Sequence, residues 1–268
     1  MELLKYIFLG FIQGMTETIP VSSSGHLMIF KRLMEVNVDF DTIAILTNFG
    51  SLIAIIILFW NDIVKLIKGF FSYLINKDKD SKDEYKYCWM IVLGCIPAGL
   101  MGLVATVFDL LDTLEENVKF IGLTLLITSV FLYLIKDFKG KKDEEDISWK
   151  DAFIIGLYQM VAIIPGISRS GSTIVGGMFQ GLKRETAFNF SFILYIPISI
   201  ATSILGIKDL IELSVSSQTW ILYTVAAIVS GIFTYICTKW FAKIVKEGKL
   251  IYFSIYCLIV GILVILFL

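Results

Sequence analysis

The chain has 268 residues, of which 57% are hydrophobic and only 18% are charged. An average soluble domain is about 45–50% apolar and about 25% charged, and it needs a polar surface that a mean hydropathy of +0.81 does not provide. The composition excludes a soluble enzyme and a disordered chain, and the net charge of −1 excludes a basic nucleic-acid-binding surface. We interpret the chain as an integral membrane protein.

Six stretches carry no charged side chain and have about the length, roughly 20 residues, that a helix needs to cross a bilayer. None alternates apolar and polar residues with a period of two, so helices are favoured over barrel strands. The predicted spanning helices cover residues 42–60, 88–108, 120–135, 186–207, 213–238 and 250–268.

Two further apolar stretches, 6–30 and 152–182, are interrupted by polar residues. The first contains Glu17 and Pro20 and then the run from Ser22 to His26, and the second contains a Pro/Gly/Ser-rich run with one arginine. Irregular backbone at membrane depth is tolerated only where protein or a water-filled cavity surrounds it. We therefore predict two re-entrant hairpins, each made of two half-length helices.

Lysines set the predicted orientation. They are concentrated in the predicted loops 61–87, 136–150 and 239–249, whereas loops 109–119 and 208–212 are acidic or nearly neutral. The positive-inside rule places the first three loops in the cytoplasm. The first hairpin, 1–41, then enters from outside and the second, 150–185, enters from inside.

The two interrupted segments align without gaps at an offset of 146 residues. Each is followed by three predicted spans, so the second copy is inserted upside down, as in many secondary transporters. We predict one membrane domain, 1–268, with repeats 1–135 and 150–268. The aligned pairs are Gly10 and Gly156, Gln13 and Gln159, Ser22 and Ser168, Ser24 and Ser170, and Gly25 and Gly171.

A helix that begins inside the membrane presents free N–H groups and a positive dipole end, which favour an anion and phosphate above all. Ser23-Ser24-Gly25 opens one such helix and Ser170-Gly171-Ser172 opens the other, so we expect the two tips to meet near the midplane. The charged side chains are distributed unequally, because Glu17 and His26 come from the first hairpin and Arg169 from the second.

Three ionisable residues in these segments are candidates for catalysis, since such groups are costly in a membrane. The planar fork of Arg169 suits phosphate, although Arg169 could instead pair structurally with Glu17. His26 is the only histidine, and Ser23 lies three residues before it, so either Ser23 or His26 is the candidate nucleophile. If it is Ser23, His26 is the expected general base, and Glu17 is expected either to orient His26 or to bind a divalent ion with the substrate. Gln13 lies one helical turn before Glu17. The four cysteines (Cys88, Cys95, Cys237 and Cys257) have no metal-binding spacing, and we interpret them as packed thiols.

Two motifs carry a resemblance to a known family: 13–26, Gln-Gly-Met-Thr-Glu through Pro-Val-Ser-Ser-Ser-Gly-His, and 165–173, Pro-Gly-Ile-Ser-Arg-Ser-Gly-Ser-Thr. They resemble the undecaprenyl-diphosphate phosphatase family of the bacitracin-resistance type, and the segments around Asn48 and 190–197 are also similar. The resemblance implies a bacterial plasma-membrane enzyme that removes the terminal phosphate of undecaprenyl diphosphate at the outer face and so recycles the lipid carrier for peptidoglycan synthesis.

The resemblance also implies roles for individual residues. Glu17, His26 and Arg169 match the essential acid, histidine and arginine, and Ser23 matches the proposed nucleophile. Gln13, Asn48 and Asn189 are candidate supporting residues. The residues expected to bind the substrate phosphates are Ser22, Ser24, Gly25, Ser168, Ser170, Gly171, Ser172 and Thr173.

One departure from the family pattern concerns the metal. Asn189 stands where family members often have a glutamate, which removes one carboxylate from any divalent-cation site. Mg²⁺ usually needs one or two carboxylates in addition to phosphates, so Glu17 remains the one candidate ligand for Mg²⁺ or Ca²⁺.

The sequence leaves two questions open. A transporter or flippase for the same lipid phosphate would share the inverted repeat and the Arg/Ser site, although binding alone does not require Ser23, His26 and Glu17 together. The prenyl tail is expected along the apolar helices. The oligomeric state, including a homodimer, is not determined by the sequence.

Overall fold

Helices make up nearly all of the described chain in the computed structural model, which covers residues 2–34, 40–108, 110, 117–212 and 216–268. These ranges contain no β-strand, only an isolated bridge between Lys142 and Leu182. The described α-helices are α1 (Glu2–Thr18), α2 (Ser23–Met34), α3 (Phe40–Leu58), α4 (Trp60–Phe71), α5 (Lys82–Val107), α6 (Val118–Leu134), α7 (Trp149–Val161), α8 (Arg169–Phe179), α9 (Arg184–Glu212), α10 (Ser217–Glu247) and α11 (Ile251–Phe267).

The prediction of an all-helical protein is confirmed for these residues. Four helices (α3, α5, α9 and α10) are long and apolar enough to cross a membrane, and α6 and α11 are apolar helices of 17 residues each. The predicted spans fall within these six helices apart from a few terminal residues. Residues 59–60, 108, 135, 250 and 268 lie just beyond the ends of the corresponding helices. Residues 213–215 lie outside the described residues.

The long apolar helices leave more than half of their residues at least partly exposed. Only 28–44% of the residues in the apolar window of each helix are buried within the protein. A soluble protein rarely exposes such continuous apolar area, whereas a membrane protein presents it to lipid. Tryptophans at Trp60, Trp89, Trp149 and Trp240 are exposed beside the lysine-rich segments, as is typical of residues at a membrane interface.

The prediction of loops over 61–87 and 239–249 is wrong in part. Residues 60–71 form α4, whose lysines face outward while Gly69 packs closely against Glu84 at the start of α5. Helix α10 continues to Glu247 and ends at Gly248, which adopts a left-handed φ of 72°. In both cases the charges lie on an amphipathic helical surface rather than in irregular chain.

Both interrupted segments fold as helical hairpins. In the first, Phe8 of α1 and Phe30 of α2 make an edge-to-face contact with ring centroids 5.1 Å apart, and residues 19–22 form the break. In the second, residues 162–168 form the break between α7 and α8. The two ends of the second segment lie together, because Lys142 binds Asp151 at the start of α7 (2.9 Å) and pairs through its backbone with the residues that follow α8.

The network at Asp151 lies outside the apolar segment and holds that end of the hairpin in place. Burial would raise the pKa of this carboxyl, but hydrogen bonds from Lys142 and from the side chain and backbone of Ser148 outweigh it and lower the pKa. Ser148 in turn caps the N-terminus of α7 in a capping box with Asp151.

Each hairpin packs through small residues against a helix of the other half of the chain. Gly10 of α1 lies against the backbone of Ala226 in α10, and the aligned Gly156 of α7 lies against Gly94 in α5. Helices α6 and α11 approach each other at Gly122 and Gly261. Such close backbone approach at small residues is the usual way that helices associate in membranes, and it ties the two halves into one body.

We expect Gly156→Ala to destabilise the fold. A Cβ at this position would lie 2.6 Å from the Gly94 carbonyl oxygen, so α7 or α5 must shift. Overpacking of this kind costs about 1–3 kcal/mol. Thermal unfolding in detergent should show a melting temperature several degrees lower than that of the wild type.

The matched control is Gly99→Ala in α5, where a new Cβ would meet nothing within 4 Å. This variant should melt at the wild-type temperature or above it, because alanine favours helix. Equal melting temperatures for the two variants would contradict the packing described here.

Candidate active site

The tips of the two hairpins meet, and the helices that begin there point their N-termini toward a common region. Gly25, in the first turn of α2, faces Gly166 in the second break, with 3.2 Å between a Cβ built on Gly25 and the Gly166 Cα. Gly171, in the first turn of α8, faces Pro20 in the first break at the same distance. A side chain larger than hydrogen would separate the tips at either glycine.

Glu17 is the centre of the polar contacts between the tips. It lies in the last turn of α1, and its side chain is only 6% exposed. One carboxylate oxygen accepts hydrogen bonds from Gln13 (2.8 Å) and from the Ser23 hydroxyl (2.5 Å). The other oxygen accepts a hydrogen bond from the Arg169 guanidinium, which completes an ion pair across the two hairpins.

Arg169 is the first residue of α8, and α9 holds its guanidinium from a second side. Its Nη1 donates to the Ser199 hydroxyl (3.2 Å), and its guanidinium carbon lies 4.0 Å from the centre of the Tyr195 ring. The Tyr195 hydroxyl donates to Asn48 of α3 (3.1 Å), so Asn48 supports the arginine indirectly. The guanidinium is therefore fixed in orientation with 24% of its side chain exposed.

The start of α8 is built by hydroxyl side chains. Ser168 caps the helix by accepting from the Gly171 backbone N–H (3.1 Å), and its own N–H donates to Thr128 (3.2 Å). Thr173 shares a hydrogen bond of 2.5 Å with Ser191 of α9. The buried Ser172 hydroxyl has no hydrogen-bond partner among the described residues.

The start of α2 has a different arrangement. Ser22 is buried and its hydroxyl accepts from the Gly25 N–H (3.3 Å), while Ser24 is exposed with its hydroxyl 3.4 Å from that of Ser22. Ser23 is half-buried and directed to Glu17. The Ser24 hydroxyl is thus exposed at this helix end.

His26 makes no hydrogen bond to Glu17, Ser23 or Arg169, so these contacts do not support its expected role as general base or an orienting contact from Glu17. It is buried, its Nδ1 donates to the Ser22 carbonyl oxygen (2.8 Å), and its Nε2 lies 2.8 Å from the Tyr256 hydroxyl of α11. The two rings are stacked with centroids 5.6 Å apart. Both ring nitrogens are therefore engaged outside the Glu17 cluster.

Asn189, a predicted supporting residue, lies elsewhere. Its amide donates to Glu144 (3.3 Å), and it lines a charged cavity of about 530 Å³ beside the lysine-rich segments. The structure does not bring it together with Glu17 or Arg169. Asn189 lies near the start of α9. Only residues further along this helix contact Arg169.

The described side chains do not form a metal site on their own. Among the described residues no group of three His, Cys, Asp or Glu side chains could hold a metal ion. Glu17 is the one carboxylate at the site, its oxygens are committed to Arg169, Ser23 and Gln13, and a cation beside it would also lie beside the guanidinium. A divalent ion would therefore need Glu17 together with the substrate phosphates as ligands, and the steps proposed below are written for the side chains of this chain.

Two cavities adjoin the cluster. A small one of about 10 Å³, enough for one water molecule, is lined by Glu17, Arg169, Ser170 and the buried Thr18, whose hydroxyl has no partner within the described residues. A groove of about 1160 Å³ runs between α5 and α9, is lined mainly by apolar side chains, and includes Arg169 in its wall.

Four residues of the site were missed by sequence reasoning: Thr18, Tyr195, Ser199 and Tyr256. Tyr195, Ser199 and Tyr256 are polar residues within apolar helices, a pattern that packing alone also produces, and Thr18 directly follows Glu17. The one signal for these residues was a hydroxyl in an otherwise apolar run. The sequence does not indicate which helices face the tips.

Comparisons with known proteins identify relatives over the whole chain. Residues 6–263 match the family described as bacitracin resistance protein BacA. The chain is 43% identical to undecaprenyl-diphosphatase 2 of Bacillus thuringiensis, with 99% of this chain and 98% of the relative covered. It is 43% identical to undecaprenyl-diphosphatase 1 of Bacillus licheniformis and 41% identical to the undecaprenyl-diphosphatase of Oceanobacillus iheyensis, with similar coverage.

Proposed function

The chain belongs to the bacitracin resistance family, and we propose that its hairpin tips remove the terminal phosphate of undecaprenyl diphosphate, giving undecaprenyl phosphate and phosphate. The observation that carries the residue assignment is the contact of Glu17 with both Ser23 and Arg169 at the meeting point of two helix N-termini. This contact joins a hydroxyl, a carboxylate and a guanidinium, which supports their proposed roles as nucleophile, proton acceptor and anion-binding group. This activity recycles the lipid carrier of peptidoglycan synthesis.

Arg169 and the starts of α2 and α8 bind the diphosphate in this proposal. The guanidinium already binds a carboxylate, and the substrate phosphate competes for the same donors. Ser199 and the Tyr195 ring keep the guanidinium oriented during the exchange. Backbone N–H groups and the hydroxyls of Ser24 and Ser170 supply further donors at the helix ends.

Ser23 attacks the terminal phosphorus. A bond forms from Oγ to phosphorus, the bond from phosphorus to the bridging oxygen breaks, and undecaprenyl phosphate leaves. The hydroxyl proton passes to Glu17, which already accepts a hydrogen bond from it at 2.5 Å. We assign the attack to Ser23 rather than His26 because both nitrogens of His26 are bonded elsewhere.

Water then releases the phosphate from Ser23. It adds to phosphorus as the bond to Oγ breaks, Glu17 returns its proton to Oγ, and both protons of the water leave on the departing phosphate, so that Glu17 is again a carboxylate. The small cavity beside Glu17 and Ser170 has room for this water molecule.

The groove between α5 and α9 is proposed to hold the prenyl tail. It is continuous with the wall around Arg169 and opens between two helices whose outer surfaces are apolar. Gly99 and Gly102 line it, and a Cβ on either would meet nothing within 4 Å. A lipid could then present its diphosphate to the tips while its tail stays among apolar side chains.

We further propose that the protein lies in the bacterial plasma membrane as an inverted repeat with six spanning helices and two re-entrant hairpins, and that the site opens to the outer face. The lysine-rich segments flanked by exposed tryptophans support a cytoplasmic position for that end of the helices. Each hairpin packs against a helix of the other half of the chain, and this equivalent packing supports the inverted repeat.

Ser23→Ala should abolish phosphate release from a prenyl diphosphate by the pure protein in detergent, because the attacking atom is lost. Glu17→Gln should lower kcat by about 10²–10⁴-fold, the usual contribution of a positioned base. Ser216→Ala is the matched control, since it removes the N-cap of α10 far from the site.

The control should lower the melting temperature and leave turnover unchanged. Near-normal activity of Ser23→Ala would contradict the assignment of the nucleophile. If the wild type binds the lipid without releasing phosphate, the site serves transport instead.

Gly99→Leu should narrow the groove without disturbing helix packing. We expect KM for a long prenyl diphosphate to rise about tenfold or more, with KM for a short prenyl diphosphate nearly unchanged. Thr224→Leu, on the exposed face of α10, is the control for added apolar volume. An equal effect on both substrates would place the tail elsewhere.

The orientation is tested by single cysteines in a variant that lacks the four native ones. A cysteine replacing Ser81, Lys141 or Lys246 should resist an impermeant thiol reagent in intact cells, because these positions lie in the lysine-rich segments. One replacing Glu116, which belongs to the predicted loop 109–119 and lies outside the described residues, should react. The reverse pattern would place the site at the inner face.

A further inference from the structure

The residue just before Ser23 has an unusual backbone conformation. Ser22 has a φ of 69°, in the left-handed region that favours glycine, and it is buried. Lys77 is the other described non-glycine residue with positive φ, and it lies at an exposed helix end. A serine held in this conformation is strained, and surrounding contacts must maintain it.

His26 supplies those contacts. Its backbone N–H donates to the Ser22 carbonyl oxygen at 3.2 Å, and its ring Nδ1 donates to the same oxygen at 2.8 Å. A carbonyl oxygen can only accept, so Nδ1 carries the proton, and in the neutral ring Nε2 accepts from the Tyr256 hydroxyl at 2.8 Å. The Ser22 carbonyl oxygen thus fixes the tautomer, and Tyr256 fixes the orientation of the ring, which in turn holds the carbonyl of Ser22.

The second hairpin provides an internal comparison. Its left-handed residue is Gly166, with a φ of 86°, and glycine adopts this conformation without strain. Ser168, which aligns with Ser22, has an ordinary φ of −71°. Ser172, which aligns with His26, has an unpartnered hydroxyl. The imidazole therefore occurs only in the hairpin whose break has a strained serine.

We propose that His26 is a positioning residue that clamps the left-handed turn at Ser22 and so directs Ser23 at Glu17 and the substrate, and that Tyr256 anchors the clamp. This inference rests on the proposed role of Ser23 as the attacking residue. It gives His26 a role that needs a hydrogen-bond donor at Nδ1 and needs neither a nucleophilic nor a basic nitrogen. It also adds Tyr256, from the last helix of the chain, to the residues on which catalysis depends.

The decisive variant is His26→Asn. The asparagine amide can donate to the Ser22 carbonyl oxygen from nearly the place of Nδ1, but it cannot attack phosphorus or accept a proton as a base. We expect His26→Ala to lower kcat by about 100-fold, the loss that a misplacement of about 1 Å can cause, with little change in KM. His26→Asn should recover at least about tenfold of that loss.

A second variant relieves the strain instead of replacing the clamp. Glycine at position 22 accepts a positive φ freely, and at a helix N-cap it is nearly as good as serine. Ser22→Gly combined with His26→Ala should therefore turn over at least about tenfold faster than His26→Ala alone. No recovery would be expected if the imidazole took part in the chemistry.

Tyr256→Phe tests the anchor with almost no change in shape. We expect kcat to fall about 5–10-fold with KM unchanged, since a looser ring holds the turn less well. Because His26 is the only histidine, ¹⁵N-histidine NMR of the whole protein reports this ring alone. The Nε2 resonance should shift in Tyr256→Phe while Nδ1 stays protonated.

The outcomes separate the inference from the proposed function. If Ser23→Ala is inactive while His26→Asn and the Ser22→Gly/His26→Ala double variant are as inactive as His26→Ala, with wild-type melting temperatures, then His26 reacts directly and the clamp is overturned. Unchanged kcat and NMR resonances in Tyr256→Phe would remove the anchor. If Ser23→Ala is active, the proposed function fails at the nucleophile instead.

Discussion

The ion pair between Glu17 and Arg169 depends on breaking two helices inside an apolar body. A broken helix leaves backbone N–H groups without partners, which is costly away from water. Here two such ends face each other, and the carboxylate of Glu17 joins them by accepting from the first residue of α8 and from the first residue of α2. The two breaks, each costly by itself, thus lie together at the proposed anion-binding site.

This meeting of the tips requires close packing elsewhere. Gly10 and Gly156 let each hairpin approach a helix of the other half at backbone distance, and Gly25 and Gly171 let the tips themselves touch. Interdigitated small residues supply dispersion contacts where there is no hydrophobic drive between helices. Movement of one hairpin would separate Arg169 from Glu17, so the packing of glycines far from the chemistry sets its geometry.

Much of this arrangement could be predicted from the sequence. The charge-free runs fixed the helical class, and Glu17, Arg169 and the serine-rich breaks were identified because polar residues in apolar segments are conspicuous. The amphipathic α4 was missed because a count of lysines does not distinguish a loop from the exposed face of a helix. The sequence did not indicate Tyr195, Ser199 and Tyr256, because their roles depend on which face of α9 and α11 meets the tips. A helix that is apolar on all faces gives no sign of which face that is.

The two halves of the site are unequal although the hairpins align. In the proposed mechanism the first contributes the acid and the attacking hydroxyl and the second contributes the cation, so the substrate bridges both. Phosphoryl transfer uses both kinds of group, because one binds the negative charge of the phosphates and the other delivers the nucleophile. The second break adopts its turn with glycine and presents Arg169 from a relaxed helix start, whereas the first presents Ser23 from a strained serine turn. A nucleophile must be positioned more precisely than a guanidinium, because a guanidinium has several donors and can still bind an anion after a small shift. The imidazole of His26 and the hydroxyl of Tyr256 occur at the hairpin where that narrower tolerance applies.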